Sequence, residues 1–200
     1  STKSEEVPTG PLSLVKCRES NLKNSCGLVQ LKESYNTELM FGQNYGYRSG
    51  LNKSMVQHLH DKVKNILDYV NLNPEDIIVD IGSNDSTLLQ AYPKDKSSLV
   101  GFDPTGIKFK KFYPDHITLI PDFFNSKNFK QKFGNKKAKI ITSIAMFYDL
   151  EDPLEFVREV YDILSDDGIW VLEQSYMPLM LEVNAFDTIC HEHLEYYRLK

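Results

Sequence analysis

The chain has 200 residues, 41% of them hydrophobic and 26% charged, the composition of one ordinary globular domain with a full-sized core. A formal net charge of −5 argues against a nucleic-acid-binding face, which needs a basic surface. No apolar run nears the roughly twenty residues of a membrane span and no secretory signal is visible, so neither nucleic acid nor membrane is expected as a partner.

The three cysteines, Cys17, Cys26 and Cys190, make no even disulfide framework, and a cytoplasmic location is expected. The chain opens Ser-Thr-Lys rather than with Met, the start expected of a processed fragment. Residues 1–10 form a polar tail. Leu12 to Val15 and Gly27 to Leu31 read as two strands of a hairpin, and residues 41–50, rich in Gly and Tyr, as a loop presenting aromatic groups.

A helix is expected over 54–70, with Ser54 and Gln57 as its capping box and Met55, Leu59, Val63, Ile66 and Val70 on one face. The order then runs strand 77–81, helix 86–92, strand 99–102, short helix 106–112, strand 117–120, helix 126–133, strand 139–144, helix 153–164 and strand 169–174. Pro153 is a first-turn signal, and Ser165 to Gly168 a stop. Strict alternation implies an α/β fold with a parallel, doubly wound, Rossmann-like sheet.

The segment Ile77-Ile78-Val79-Asp80-Ile81-Gly82-Ser83-Asn84-Asp85 joins a strand buried on both faces to a small polar loop. Such a loop offers backbone N–H groups to a nucleotide-like ligand. A dinucleotide site needs Gly-x-Gly-x-x-Gly, but Asn84 and Thr87 stand where the second and third glycines belong. S-adenosylmethionine carries no pyrophosphate and tolerates a looser loop. Its ammonium suits Asp80 or Asp85, its ribose Asp103 at the end of the next strand, and its adenine Asp122-Phe123-Phe124 after the third. Singly, each of these positions equally suits a helix cap or a core ring. Jointly they stand at successive strand ends, where ligands of open parallel sheets bind.

These residues resemble a known family, the S-adenosylmethionine-dependent sugar C-methyltransferases, typified by deoxysugar 3-C-methyltransferases. The resemblance spans six blocks: residues 26–31, Asn44 to Asn52, Asp80 to Asp85, Gly101-Phe102-Asp103-Pro104-Thr105, Glu173 to Pro178, and Asp187 to Tyr197. It implies a class I methyltransferase core over 51–200. Ahead of it, residues 1–50 would be the remnant of a zinc-binding lobe followed by a loop that covers the cofactor. Tyr47 and Ser49 would line the methionine end, Pro104 would follow the ribose carboxylate, and Ser143 and Met146 would line the methyl-transfer pocket. The family departs from this chain in several respects. Only Cys17 and Cys26 match the four zinc-lobe cysteines, and two thiolates cannot close a tetrahedral site, so no metal is expected. The chain stops before the last two strands and the C-terminal domain, Ser86 replaces a loop glycine, and Cys190 replaces a frequent tyrosine.

Methylating a sugar carbon begins with removal of a proton next to a carbonyl, for which a histidine neutral near pH 7 is suited. In His191-Glu192-His193 the resemblance makes His193 the base. Glu192 would orient or polarise the site, and Tyr176 would donate to the developing charge. A loop or metal role for the His-x-His pair stays open. His58, His60 and His116 read as surface residues without partners. The expected activity is C-methylation of a nucleotide-linked keto-deoxysugar or related carbohydrate, with a homodimer as one option because an open strand edge invites a partner. Two alternatives are a non-catalytic module that binds the cofactor or a protein, and a nicotinamide-linked sugar oxidoreductase. The latter needs Tyr-x-x-x-Lys, which neither Tyr45 nor Tyr47 supplies.

Overall fold

The computed structural model describes residues 9–18, 26–42 and 45–199. Residues 1–8 of the expected tail, 19–25 of the hairpin connection, and Gln43 and Asn44 of the aromatic loop lie outside that set. In chain order the elements are β1 (Leu14–Lys16), β2 (Val29–Leu31), α1 (Thr37–Phe41), α2 (Lys53–Tyr69), β3 (Ile77–Ile81), β4 (Ser98–Phe102), α3 (Gly106–Phe109), β5 (Ile117–Ile120), α4 (Ser126–Phe133), β6 (Ala138–Ile144), α5 (Pro153–Ile163), β7 (Leu164–Glu173), α6 (Met177–Glu182) and β8 (Glu195–Tyr196). Packing divides the chain into two units, Ser1–Tyr35 with Ser175–Lys200, and Asn36–Gln174. Residues 36–50 therefore pack with the longer unit, and 175–200 with the N-terminal strands.

In the longer unit the sheet order is β5-β4-β3-β6-β7, parallel throughout. Every residue of β3 is buried, and its side chains alternate between two cores. Ile78 packs with Leu59, Val63 and Ile66 of α2 on one face. Ile77, Val79 and Ile81 pack with Phe129 of α4 and with Phe156, Val160 and Ile163 of α5 on the other. Burying each such side chain contributes about 1.5–3 kcal/mol, so the apolar run is committed to the centre of a covered sheet. The doubly wound α/β core matches the sequence expectation.

The helix expected over 86–92 is a correction. Only a 3₁₀ turn forms there, Leu89–Ala91. Asn84 (φ +50°) and Ser86 (φ +64°) adopt left-handed backbone, and Asp85 Oδ1 accepts from the Thr87 N–H and hydroxyl. A short acceptor that captures nearby donors competes with the helical ladder. Leu88, Leu89 and Tyr92 are nevertheless buried against α2, so the apolar spacing was real and the helix was not. The cap of α2 also differs: Asn52 Oδ1 accepts from Ser54 N–H and hydroxyl. Ser165 to Gly168 is not a break before β7 but a bulge within it, between the pairs Ala138↔Leu164 and Ile140↔Ile169.

In the smaller unit β1 and β2 form the expected hairpin, antiparallel with Leu14 opposite Leu31. The second strand starts at Val29, two residues after Gly27, whose backbone is left-handed at φ +71°. The two-residue β8 pairs with β2, Val29 opposite Tyr196.

Ser86 is fully buried, and its hydroxyl donates to the Phe112 carbonyl (3.2 Å) and accepts from Gln90 Nε2 (3.0 Å). Left-handed backbone costs a non-glycine residue roughly 1–2 kcal/mol. Ser86→Gly is expected to relieve the strain while losing the bonds, leaving the urea midpoint nearly unchanged. Ser86→Ala keeps the strain, loses the bonds, and is expected to fall below Ser86→Gly by about 1 kcal/mol in urea unfolding.

Candidate cofactor-binding and catalytic site

The carboxyl edge of β3 and β4 gathers an unusual density of buried polar groups. Asp80, Ser83, Asn84, Asp85, Ser86, Thr87, Asp103 and Thr105 are all buried, whereas Gly82 among them is exposed. Buried polar atoms must find partners inside the protein, and these partners define the loop. Asp103 Oδ2 accepts from the Asn84 N–H (2.7 Å) while Oδ1 accepts from the Thr105 N–H (2.7 Å) and hydroxyl. Tyr113 donates its hydroxyl to the Asn84 carbonyl (2.8 Å) and lies 2.8 Å from Ser83 Oγ.

Asn84 and Asp85 also reach the segment ahead of α2. Asn84 donates to the Tyr47 carbonyl (3.1 Å) and accepts from the Ser49 N–H (3.0 Å). Asp85 Oδ2 accepts from the Gly50 N–H (3.0 Å) and pairs with Arg48 Nε at 3.3 Å. The Arg48 guanidinium lies 4.0 Å from the centre of the Phe112 ring. A Cβ on Gly50 would stand 2.6 Å from Asp85 Oδ2, so only glycine permits this approach. The 45–51 segment is thereby clamped to the strand-end loop.

Asp80 lies deeper, and its carboxyl accepts from the Thr142 hydroxyl at 2.5 Å. Burial drives its pKa up to about 7, partly offset by Thr142 and reinforced by the charge of Asp103. A buried carboxyl with this poise favours a cationic ligand group that restores its charge. Gly82, with φ +74°, presents bare backbone beside Met146, whose Cγ is 3.4 Å from where a Cβ at Gly82 would stand. An exposed glycine, a poised acid and several strand-end carboxylates fit an amino-acid-bearing nucleoside such as S-adenosylmethionine. The structure thus brings together Tyr47, Ser49, Asp80, Gly82, Asn84, Asp85, Asp103 and Met146, with Pro104 in the half-buried turn after Asp103.

The remaining expected positions have other neighbours. Asp122 is exposed and accepts from the Phe123 N–H (2.8 Å) and Asn128 Nδ2 (2.9 Å). Phe123 is exposed, but Phe124 packs edge-on against Phe102 and Phe156 in the core. Ser143 is fully buried, and its hydroxyl accepts from Trp170 Nε1 at 2.7 Å.

Tyr176 and the His-Glu-His motif belong to the smaller unit. Tyr176 is exposed and precedes α6. His191 Nε2 lies 3.1 Å from the Gly10 carbonyl, and its ring meets Tyr35 edge-on. Cys190 Sγ lies 3.8 Å from Glu192 Oε2. His193 Nδ1 lies 2.6 Å from the Thr188 carbonyl. Cys17 and Cys26 are near enough for hydrogen bonding, and backbone N–H groups of Cys26 and Gly27 lower the Cys17 thiol pKa. Among the described residues, no three His, Cys, Asp or Glu side chains converge as a metal site, and no helix is long and apolar enough to cross a membrane.

Several residues that hold the site gave no sequence signal. Thr142 is found only through the β3–β6 register, which sets it opposite Asp80, and Tyr113 only through the fold of the loop after α3. His58, expected to stand without a partner, instead meets Glu173.

Residues 51–200 match a family model described as a methyltransferase domain. The C-methyltransferase NovU of Streptomyces niveus is 27% identical over 190 residues, covering 94% of this chain and 44% of its own length; the chain thus spans less than half of that relative. Among solved structures, a methyltransferase in complex with the Haloferax volcanii Trm112 activator superposes with a TM-score of 0.54 at 15% identity, covering 73% of this chain and 67% of that one. The plantazolicin methyltransferase BpumL, solved with a triazolic desmethylPZN analogue and S-adenosylhomocysteine, gives 0.53 at 17% identity over 72% of this chain and 56% of that one. At these identities the structures speak for the fold. With three quarters of its length under the family model and the matching parallel sheet, the chain belongs to the methyltransferase-domain family, whose methyl donor is S-adenosylmethionine.

Proposed function

We propose that the chain transfers a methyl group from S-adenosylmethionine to a carbon of a nucleotide-linked keto-deoxysugar or related carbohydrate. The observation that carries the general-base role is the 2.6 Å contact between His193 Nδ1 and the Thr188 carbonyl. A carbonyl only accepts, so Nδ1 holds a proton, and in the neutral ring the lone pair is on Nε2. That tautomer is the one a general base acting through Nε2 requires. In the proposed step Nε2 takes the proton from the carbon next to the substrate ketone. The C–H electron pair enters the C–C–O system, and negative charge gathers on the ketone oxygen. Glu192 and His191 would orient the imidazole and the ketone, and Tyr176 would donate a hydrogen bond to that oxygen. The similarity to a C-methyltransferase over 94% of the chain supports carbon as the acceptor atom.

When bound, S-adenosylmethionine supplies the electrophilic methyl group. Asp80 would balance its ammonium, Asp103 its ribose hydroxyls, Asp122 and Phe123 its adenine, and Ser49 with Tyr47 its carboxylate end. Asn84 and Asp85 would keep the loop in shape, and Met146 would line the methyl end.

Isothermal titration with S-adenosylhomocysteine is expected to show saturable binding, and its absence would overturn the reading. His193→Ala is expected to lower methyl transfer to a keto-sugar nucleotide by about 10² or more while leaving that binding intact. Binding by the wild type without any turnover would favour the non-catalytic module instead.

Asp80 gives a pH prediction of two signs. Its folded pKa of about 7 lies above the ordinary 3.8, so the folded state retains a proton that the unfolded state releases. Stability therefore declines as pH rises from about 4 to 7 on this account. Asp80→Asn is expected to gain stability relative to wild type across that interval, read by urea unfolding at several pH values. Cofactor affinity should move oppositely, rising toward pH 7 in the wild type as the carboxylate forms, and staying flat in Asp80→Asn.

A further inference from the structure

We propose that Glu173, together with His58 and Lys62, positions the cofactor cradle from the carboxyl end of the edge strand β7; this rests on reading the Gly82 loop as the S-adenosylmethionine site. Glu173 is the last residue of β7. Its Oε1 and Oε2 lie 2.8 and 3.1 Å from His58 Nε2, and Oε2 also pairs with Lys62 Nζ. His58 and Lys62 are four residues apart and share a face of α2. Burial pushes the Glu173 carboxyl upward, but the bonds from Lys62 and His58 outweigh it and hold the pKa below the ordinary range. Facing a carboxylate, His58 Nε2 is the nitrogen that carries the proton and donates it.

The main chain of Glu173 does separate work. Its carbonyl accepts from the Ala145 N–H at 2.7 Å. Ala145 follows β6 in left-handed backbone, φ +54°, and leads to Met146, the side chain beside Gly82. The helix that Glu173 grips follows directly on the 3₁₀ turn Ser49–Leu51, which docks on Asn84 and Asp85. One residue therefore ties down two segments of the loop region, through its carboxylate the helix behind the turn that docks on Asn84 and Asp85, and through its carbonyl the residue before Met146, which lies beside Gly82.

The carboxylate and the imidazole are both partly exposed, at 35% and 48% of their side-chain surface. Ion pairs in such settings add little to global stability. Their value here is register, since they fix how far α2 slides along the carboxyl edge. Glu173 and His58 are positioning residues in this account, acting through the loops they hold.

The test compares Glu173→Ala, His58→Ala and His58→Gln with the wild type. In Glu173→Ala and His58→Ala, S-adenosylhomocysteine should bind roughly tenfold more weakly by calorimetry. Amide hydrogen exchange should quicken at 49–51, on the α2 side that the carboxylate holds, and stay unchanged at 145–147, where the main-chain bond survives, while the urea midpoint barely moves. His58→Gln, whose amide nitrogen donates to the same carboxylate, should restore binding to within about twofold. Unchanged affinity and exchange in Glu173→Ala would overturn the inference. So would normal cofactor binding with lost turnover in His58→Gln, which would make His58 a proton carrier instead. If the wild-type chain does not bind S-adenosylhomocysteine at all, the reading of the cradle fails and this inference with it. Binding by the wild type with no response to Glu173→Ala sinks the inference alone.

Discussion

The structure of the longer unit depends on one constraint: polar side chains buried at the carboxyl edge of β3 have to be satisfied by the protein itself. Between Ile81 and Gln90 only Gly82 is exposed, so Ser83, Asn84, Asp85, Ser86 and Thr87 must find partners within reach. The partners come from three places, the 45–51 segment, the β4 exit at Phe102 and Asp103, and the loop that carries Phe112 and Tyr113. An unsatisfied buried donor or acceptor costs about 1–3 kcal/mol. The network therefore draws distant pieces of chain to one edge of the sheet and leaves bare backbone facing outward at Gly82.

The same economy explains the strained residues. Asn84, Ser86 and Ala145 all hold left-handed backbone at strand exits, and each is fastened by hydrogen bonds that make the strain tolerable. Strain at such places belongs to loops whose shape is imposed by what they must present. Ser86 shows the trade clearly. A glycine would suit its backbone better, but serine contributes two hydrogen bonds from a site with no access to water.

What was legible in the sequence was whatever depends on local pattern. The apolar run of β3, the face of α2 and the Pro153 start of α5 appear where they were read, because periodicity and capping act over a few residues. Asp80 and Asp103, with Gly82 between them in the chain, were legible as lying at strand ends because each apolar run stops at a turn-forming residue. The helix over 86–92 failed because side-chain bonds from Asp85 and two left-handed residues broke a ladder that spacing alone suggested. β8 was illegible because two residues acquire strand geometry only by pairing with β2, far away in sequence.

The sequence by itself determined the doubly wound class, the strand that ends in the Gly82 loop, and the carboxylates set along the sheet edge. Those follow from alternation, β-branched runs and turn chemistry, which each residue carries wherever it goes. Only the tertiary structure decided what the carboxylates do. Packing isolates Asp80 beside Thr142 and raises its pKa, spends Asp85 on the Gly50 and Arg48 clamp, and aims Glu173 at His58 and Lys62. A carboxylate's role depends on its solvent access and on the donors that surround it, and both are set by residues distant in the chain.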